Sequence, residues 1–196
     1  NNPLFRPPAE ANSLILQVDV GCRHNACAFC GMYKRVSHRA RPLPEILDLV
    51  RRETRRHPHA TRVFLADADA LSLPANALEA ILAELGRCLP ALARVNAYAN
   101  GGSILAKTPA ELDRLKAGRL HTLYMGLESG DEATLLAMHK ADTVETMIRA
   151  GCLAQEHGLK MSVMVLLGLA GPDRSAVHAR ATGEALNRLQ PRLLSV

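Results

Sequence analysis

Cys22, Cys27 and Cys30 lie close together in the segment DVGCRHNACAFCGMY, with the spacing C-x4-C-x2-C. Three thiolates on one loop can bind three corners of an iron–sulfur cluster and leave the fourth corner open to a substrate or cofactor. Zinc is the alternative, with His24 as a fourth ligand in a Cys3His site. Unligated thiols crowded on a loop would be prone to oxidation, so the spacing favours a metal site.

The chain has five cysteines, an odd number, and three of them are too close in sequence to form a disulfide framework with one another. Cys88 and Cys152 lie in or beside apolar helical stretches, and we expect them to pack in the core. The pattern indicates reduced thiols.

The composition is that of an ordinary globular protein, with 196 residues, 48% of them hydrophobic, and we expect one domain over 1–196. The longest apolar stretch, 163–170, is much shorter than the about 20 residues of a membrane helix. The first ten residues show no signal-peptide pattern. We therefore expect a cytoplasmic protein with no membrane partner.

The net charge is only +5, from 24 basic and 19 acidic residues. Part of the excess is an arginine cluster that could contact nucleic acid, although a solvated helix face is the favoured interpretation. Its members are Arg39, Arg41, Arg51, Arg52, Arg55 and Arg56. Together with the zinc alternative, this cluster would describe a zinc-stabilised nucleic-acid-binding module.

Apolar runs of strand length alternate with helical patterns along the chain. The pattern predicts strands at 14–20, 62–66, 94–99, 121–127, 160–167 and 193–196, the last one cut short. It predicts helices at 46–56, 74–86, 131–138, 143–157 and 173–189. A further helix begins after Thr108, with Glu111 completing a capping box.

This alternation indicates a parallel sheet with crossover helices, closed or half closed into a barrel. In such folds the chemistry lies at the carboxyl ends of the strands. The segments that follow the first five strands are the cysteine loop, 67–69, 100–102, 128–130 and 168–171, and we expect them to face one cavity. A metabolic enzyme with a phosphate site in the late loops is a third hypothesis, which leaves the cysteines unexplained.

The cysteine loop after the first strand, with an aromatic residue before the third cysteine, resembles the radical S-adenosylmethionine (radical SAM) enzymes. Their usual spacing is C-x3-C-x2-C, so this loop carries one extra residue. The segments GLESG (126–130) and GLAGP (168–172) are similar to those of the subgroup that includes oxygen-independent coproporphyrinogen oxidase and the methylthiotransferases. The resemblance implies an α/β fold, a partial (β/α)6 TIM-like barrel truncated at the sixth strand, as a fragment of a longer protein.

The resemblance also implies two cofactors. Cys22, Cys27 and Cys30 would bind a 4Fe-4S cluster, and S-adenosylmethionine would chelate its fourth iron and be cleaved to a 5'-deoxyadenosyl radical. Glu128 would accept hydrogen bonds from the ammonium or ribose of S-adenosylmethionine, and Lys140 would pair with its carboxylate.

Weaker correspondences place five more residues at the cofactor. Asp67 or Asp69 would face the S-adenosylmethionine ammonium, where the family has a glycine-rich segment. Tyr33, Gly168 and Gly171 would lie near the adenine. The implied partners are an electron donor such as flavodoxin or ferredoxin and an unidentified substrate, either a small molecule or RNA.

Overall fold

The computed structural model of the chain describes residues 4–196, and strands and helices alternate through it as the sequence indicates. The strands are β1 (Leu14–Gln17), β2 (Asp19–Val20), β3 (Arg39–Ala40), β4 (Arg62–Ala66), β5 (Arg94–Tyr98), β6 (Leu120–Glu128), β7 (Lys160–Val165) and β8 (Leu193–Ser195). The helices are α1 (Leu43–Arg56), α2 (Ala75–Cys88), α3 (Gly101–Leu105), α4 (Pro109–Ala117), α5 (Glu132–Ala137), α6 (Val144–Glu156) and α7 (Gly171–Leu189).

Six strands form one parallel sheet in the order β1-β4-β5-β6-β7-β8, and β2 and β3 form a separate antiparallel pair. The parallel order confirms the predicted α/β fold with crossover helices. All six carboxyl ends therefore lie at the same edge of the sheet. The loops that carry the predicted site follow these ends.

The first predicted strand, 14–20, is divided in the structure. Only Leu14–Gln17 pairs with β4, whereas Asp19 and Val20 pair with Ala40 and Arg39. The division places Gly21, with φ +75°, at the start of the cysteine loop. The cysteine loop is therefore attached to the parallel sheet through β1 and to the antiparallel pair through β2.

The two faces of the sheet pack differently. One face carries Leu16, Leu65, Leu123 and Val163 into the main core against the helices. The opposite face carries a small aromatic cluster in which the Phe64 ring meets those of Tyr98 and Tyr124 edge to face, at centroid distances of 5.0 and 5.7 Å. Such pairs each stabilise a fold by about 0.5–1.5 kcal/mol beyond area burial.

Two helices show how local sequence determines helix starts. α4 begins with the predicted capping box, since the Glu111 amide donates to Thr108 Oγ1 at 3.3 Å and the Thr108 amide donates to Glu111 Oε2 at 2.7 Å. α3 was not predicted, because 100–102 looked like a loop. It is a single short turn, capped by Asn100 and Ser103.

Candidate active site

A cavity of about 200 Å³ opens at the carboxyl ends of the strands. Several predicted site residues line it together, namely Cys22, Cys27, Cys30, Tyr33, Glu128 and Lys140. Asp67, Asp69, Gly168 and Gly171 are not among the lining residues. The cysteine loop and the loops at 67–69, 100–102 and 128–130 therefore share the expected cavity, whereas no residue of the loop at 168–171 lines it.

The cysteine loop is folded on itself by Asn25. This residue has φ +44°, and its side-chain amide donates to the Tyr33 carbonyl at 2.8 Å. Its backbone amide points to Cys22 Sγ at 3.4 Å. Asparagine tolerates the left-handed conformation better than most residues. The tight turn between Cys22 and Cys27 takes up the extra residue of the C-x4-C spacing.

Two hydrogen bonds join the cysteine loop to the connection between α5 and α6. The Ala28 amide donates to the Met138 carbonyl at 2.9 Å, and His24 Nε2 donates to the His139 carbonyl at 2.6 Å. Lys140 follows immediately. Burial raises the pKa of the Cys27 thiol, and the Lys140 ammonium opposes the rise. Lys140 is thus held near Cys27 by the backbone of the two residues that precede it.

Asp67 fixes both ends of the cysteine loop. Its carboxylate is buried and accepts hydrogen bonds from Gln17 Nε2 at 2.7 Å, from the Gly21 amide at 3.0 Å and from the Tyr33 hydroxyl at 3.1 Å. Burial and the adjacent carboxylate raise the pKa of Tyr33. Tyr33 lies in the cavity wall with its hydroxyl turned away to Asp67.

Asp69 and Asp142 organise the next loop along the sheet. Asp69 accepts hydrogen bonds from the Ser103 hydroxyl at 2.8 Å and from the Asn100 amide at 3.3 Å, and burial raises the pKa of its carboxyl. Asp142 accepts from the Gly101 amide at 2.8 Å. These bonds place Asn100 and Asp142 in the cavity wall.

Glu128 is buried at the end of β6 and has φ +63°. Its carboxylate folds back over Gly126, where an added Cβ would lie only 2.0 Å from Glu128 Oε1. Lys140 Nζ lies 3.9 Å from the same oxygen. Burial raises the pKa of the Glu128 carboxyl, and Lys140 opposes the rise. The pair presents one acceptor and one cation side by side, as an amino-acid headgroup requires.

The residues after Glu128 attach the site to α7. Ser129 Oγ lies 2.7 Å from His178 Nδ1, and the Gly130 amide donates to Thr182 Oγ1 at 2.8 Å. Both Ser129 and His178 are buried. The position of Glu128 is therefore fixed both by β6 and by the hydrogen bonds that join the following turn to α7.

The floor of the cavity is aromatic and was not predicted from the sequence. Tyr98 and Tyr124 line it. The Tyr124 hydroxyl donates to the buried Glu10 carboxylate at 2.5 Å, whereas the Tyr98 hydroxyl has no hydrogen-bond partner among residues 4–196. Burial raises the pKa of the Tyr98 hydroxyl to about 12.

Gly168 and Gly171 form the turn between β7 and α7, with φ +78° and +70°. An added Cβ would meet nothing within 4 Å at either position. Glycine is favoured at both positions by the positive φ of the backbone, because the surrounding protein leaves room for a side chain.

The family model of the Radical SAM superfamily matches residues 17–178, most of the chain. The chain belongs to the radical SAM superfamily. The resemblance inferred from the cysteine loop is thereby confirmed. No sequence among curated proteins matches this chain.

Solved radical SAM structures share the fold. Coproporphyrinogen III oxidase HemN from Escherichia coli has a TM-score of 0.72 at 18% identity over 94% of this chain and 43% of its own. The methyltransferase TsrM from Kitasatospora setae, with cobalamin and a 4Fe-4S cluster bound, has a TM-score of 0.71 at 19% identity over 93% of this chain and 36% of its own. The cobalamin-dependent radical enzyme OxsB has a TM-score of 0.68 at 19% identity, over 93% of this chain and 27% of its own.

This radical SAM chain thus spans less than half the length of each of these proteins. The likeness confirms the predicted partial barrel, because the match covers nearly all of the chain.

The cysteines fit a cluster better than a zinc ion. Among residues 4–196, no three His, Cys, Asp or Glu side chains meet at a point that one metal ion could occupy. Zinc needs all its ligands within about 2.0–2.3 Å, whereas the cysteines of a 4Fe-4S cluster bind different irons and need not converge. His24, the fourth zinc ligand considered, donates one ring nitrogen to a carbonyl.

The arginine cluster is largely neutralised. Arg39 and Arg41 share Glu45, Arg51 pairs with Glu84, and Arg52 and Arg56 pair with Glu53. These pairs favour the solvated helix face over a nucleic-acid surface. In residues 4–196 no helix has the length and apolar character needed to cross a membrane.

Proposed function

We propose that this chain is the catalytic core of a radical SAM enzyme in which Cys22, Cys27 and Cys30 bind a 4Fe-4S cluster. The observation that carries the proposal is the shared cavity, where the three thiols face Glu128 and Lys140 at the carboxyl ends of the strands. Held by these three thiolates, the reduced cluster would supply the electron for reductive cleavage of S-adenosylmethionine and so the radical that takes hydrogen from the substrate.

Glu128 and Lys140 are the residues we assign to the methionyl end of S-adenosylmethionine. A carboxylate accepts hydrogen bonds from an ammonium or ribose hydroxyls, and a lysine ammonium pairs with a carboxylate. Both side chains are about nine-tenths buried, at 11% and 10% exposure, so their interactions are weakly screened by water. Gly126 leaves the space that the Glu128 carboxylate occupies.

The remaining predicted residues divide into three roles. Tyr33 contributes its ring to the cavity wall, which supports a contact with the adenine. The hydrogen bonds of Asp67 and Asp69 support positioning roles, since both carboxylates already accept bonds from neighbouring loops. Gly168 and Gly171 let the last loop turn back toward α7.

We assign the substrate to the part of the cavity lined by Tyr98, Tyr124 and Met164, whose side chains carry no charge. A neutral C–H-bearing group that carries a hydrogen-bond acceptor fits these side chains, and such a group can belong to a small molecule or to an RNA base.

The enzyme also needs an electron, and we propose a flavodoxin or ferredoxin in the cytoplasm as the donor. Reduced thiols support that location, because cytosolic thiols are kept reduced.

The test is anaerobic reconstitution with iron and sulfide, followed by dithionite and S-adenosylmethionine. We expect iron–sulfur absorption and 5'-deoxyadenosine from the native chain. Replacing Cys22, Cys27 and Cys30 together by Ala should abolish both. The matched control is Cys88→Ser with Cys152→Ser, because neither thiol lines the cavity and both products should persist.

Two results would contradict the proposal. Iron–sulfur absorption that survives the triple Ala replacement would place the cluster elsewhere. One equivalent of bound zinc with no deoxyadenosine would instead favour the hypothesis of a zinc-stabilised nucleic-acid-binding module.

A further inference from the structure

The segment that contains the cysteine loop is rich in basic residues. Between residues 20 and 44 there are five basic residues and no Asp or Glu, which equals the net charge of +5 for the whole chain. Two of the five, Arg39 and Arg41, pair with Glu45. The other three are Arg23, Lys34 and Arg35.

These three side chains are exposed and have no acidic partner. No carboxylate of residues 4–196 lies within ion-pair distance of them. Lys34 Nζ donates to the Asn25 carbonyl at 2.9 Å, so it lies directly over the turn between the first two cysteines. Arg23 follows Cys22 in the chain.

An apolar side chain completes the surface. Met32 lines the cavity and is 38% exposed, so it reaches from the cavity wall to solvent. Met32 lies within three residues of Lys34 and Arg35 in the chain, and methionine and arginine are both enriched at protein interfaces. We name Arg23, Met32, Lys34 and Arg35 the loop surface.

We propose that the loop surface is the docking site of an acidic electron-transfer protein. The inference rests on the proposed function, which requires an electron to reach a cluster on this loop. A donor that docks here transfers one electron to the oxidised cluster across the loop that holds it, and leaves oxidised by one electron. Opposite charge brings such a donor to the correct face and accelerates association about 10- to 1,000-fold at low ionic strength.

The positions of the charges support a protein donor over a small anionic substrate. A ligand of the cavity would be met by cations that point into it, and Lys140 supplies that cation. Arg23, Lys34 and Arg35 are instead exposed on the outside of the loop and are absent from the cavity wall. They can reach a partner that covers the loop.

The experiment compares two charge-reversed variants of the chain. The first carries Arg23→Glu, Lys34→Glu and Arg35→Glu. The matched control carries Arg55→Glu, Lys160→Glu and Arg192→Glu, which are exposed cations without ion pairs at the opposite, amino-terminal end of the strands. Each variant is reconstituted and compared at equal cluster content, with a flavodoxin of net negative charge in its hydroquinone form as the reductant.

We expect the first variant to be reduced by flavodoxin at least about tenfold more slowly at low salt. The control variant should keep the native rate. Excess dithionite, which needs no docking surface, should give native amounts of 5'-deoxyadenosine with both. In the native protein the flavodoxin rate should fall as salt is raised, because the attraction is screened.

Several results would overturn the inference. If flavodoxin reduced both variants equally slowly, the effect would come from net charge alone. If the rate of reduction of the native protein did not depend on salt, electrostatic attraction would not guide the donor. An unchanged flavodoxin rate, with loss of binding to a labelled RNA, would assign the surface to a polyanionic substrate. Absence of 5'-deoxyadenosine from the native protein with dithionite would instead refute the proposed function itself.

Should the reversed variant fail to bind its cluster, the neutral variant Arg23→Gln, Lys34→Gln and Arg35→Gln replaces it. It removes the attraction without adding repulsion, so the flavodoxin rate should fall by a smaller factor. A native rate in this variant would also overturn the inference.

Discussion

Replacement of Asp67 tests whether this carboxylate holds the cysteine loop or contacts the cofactor. Asp67→Ala removes both carboxylate oxygens, which accept from Gln17, Gly21 and Tyr33. Asparagine would be a weaker test, because its amide can turn to keep an oxygen on Gln17 and Gly21 while its NH2 donates to the Tyr33 hydroxyl. In Asp67→Ala three donors lose their acceptor.

The size of the effect follows from these bonds. An unsatisfied buried donor costs about 1–3 kcal/mol, so Asp67→Ala should lower the free energy of unfolding by about 3–5 kcal/mol. Tyr33→Phe removes one bond and should cost about 1 kcal/mol. In Asp67→Ala the Tyr33→Phe change should cost almost nothing further, because the acceptor of the hydroxyl is already absent.

The assay is urea unfolding of the metal-free chain, followed by circular dichroism because the sequence has no tryptophan. Iron per chain after reconstitution is measured in parallel, and we expect it to fall with Asp67→Ala as the loop loses its anchor. The reasoning is refuted if stability and iron content stay native while the affinity for S-adenosylmethionine drops, since that result would make Asp67 a cofactor ligand.

Four further changes test other parts of the site. Gly126→Ala should displace the Glu128 carboxylate and weaken S-adenosylmethionine binding by about 10- to 100-fold, the loss of one charge-assisted bond, measured by equilibrium dialysis. Gly130→Ala would place a Cβ 2.3 Å from the Ala181 carbonyl oxygen and should cost about 3 kcal/mol in urea unfolding. Tyr98→Phe should leave the urea midpoint unchanged, because no bond is lost. Hydrogen bonds from Arg87 and Arg51 lower the pKa of Glu84 from 4.5 to about 2. The ionised Glu84 should therefore stabilise the fold above pH 4.5 and lose this contribution as the pH falls toward 2. In Glu84→Gln, the free energy of unfolding should depend less on pH between these two values.

The alternation of strands and helices could be predicted because each element has a clear periodicity and its own boundaries. The first strand was extended too far, since the pairing of Asp19 with Ala40 depends on a segment twenty residues away that no local pattern reveals. α3 was missed for a similar reason. Its first amide donates to the Asp142 carboxylate from a distant loop, although Asn100 and Ser103 already had capping-box spacing.

The site residues that share a short sequence spacing could be predicted, whereas those that reach the site through packing of distant elements could not. Three cysteines in C-x4-C-x2-C indicate a metal by themselves. The sequence does not single out Tyr98, because an aromatic residue in a strand is usually core, and only its place in the cavity wall makes it the substrate contact that we propose. The signal available was its position two residues after Asn96, on the polar face of β5.

The segment GLESG, weak as a sequence motif, is physically a single unit. Gly126 is small because the Glu128 carboxylate occupies the space of its side chain. Ser129 contacts the buried His178, and Gly130 brings the turn so close to α7 that an added Cβ would lie 2.3 Å from a backbone oxygen. Gly126, Ser129 and Gly130 therefore restrict the direction of the Glu128 carboxylate. The backbone of Glu128 has the unfavourable φ of +63°. Strain of this kind persists only where the surroundings over-determine it, and it clusters at functional sites. That is the strongest physical reason to place Glu128 at the cofactor, because a surface glutamate needs none of these constraints.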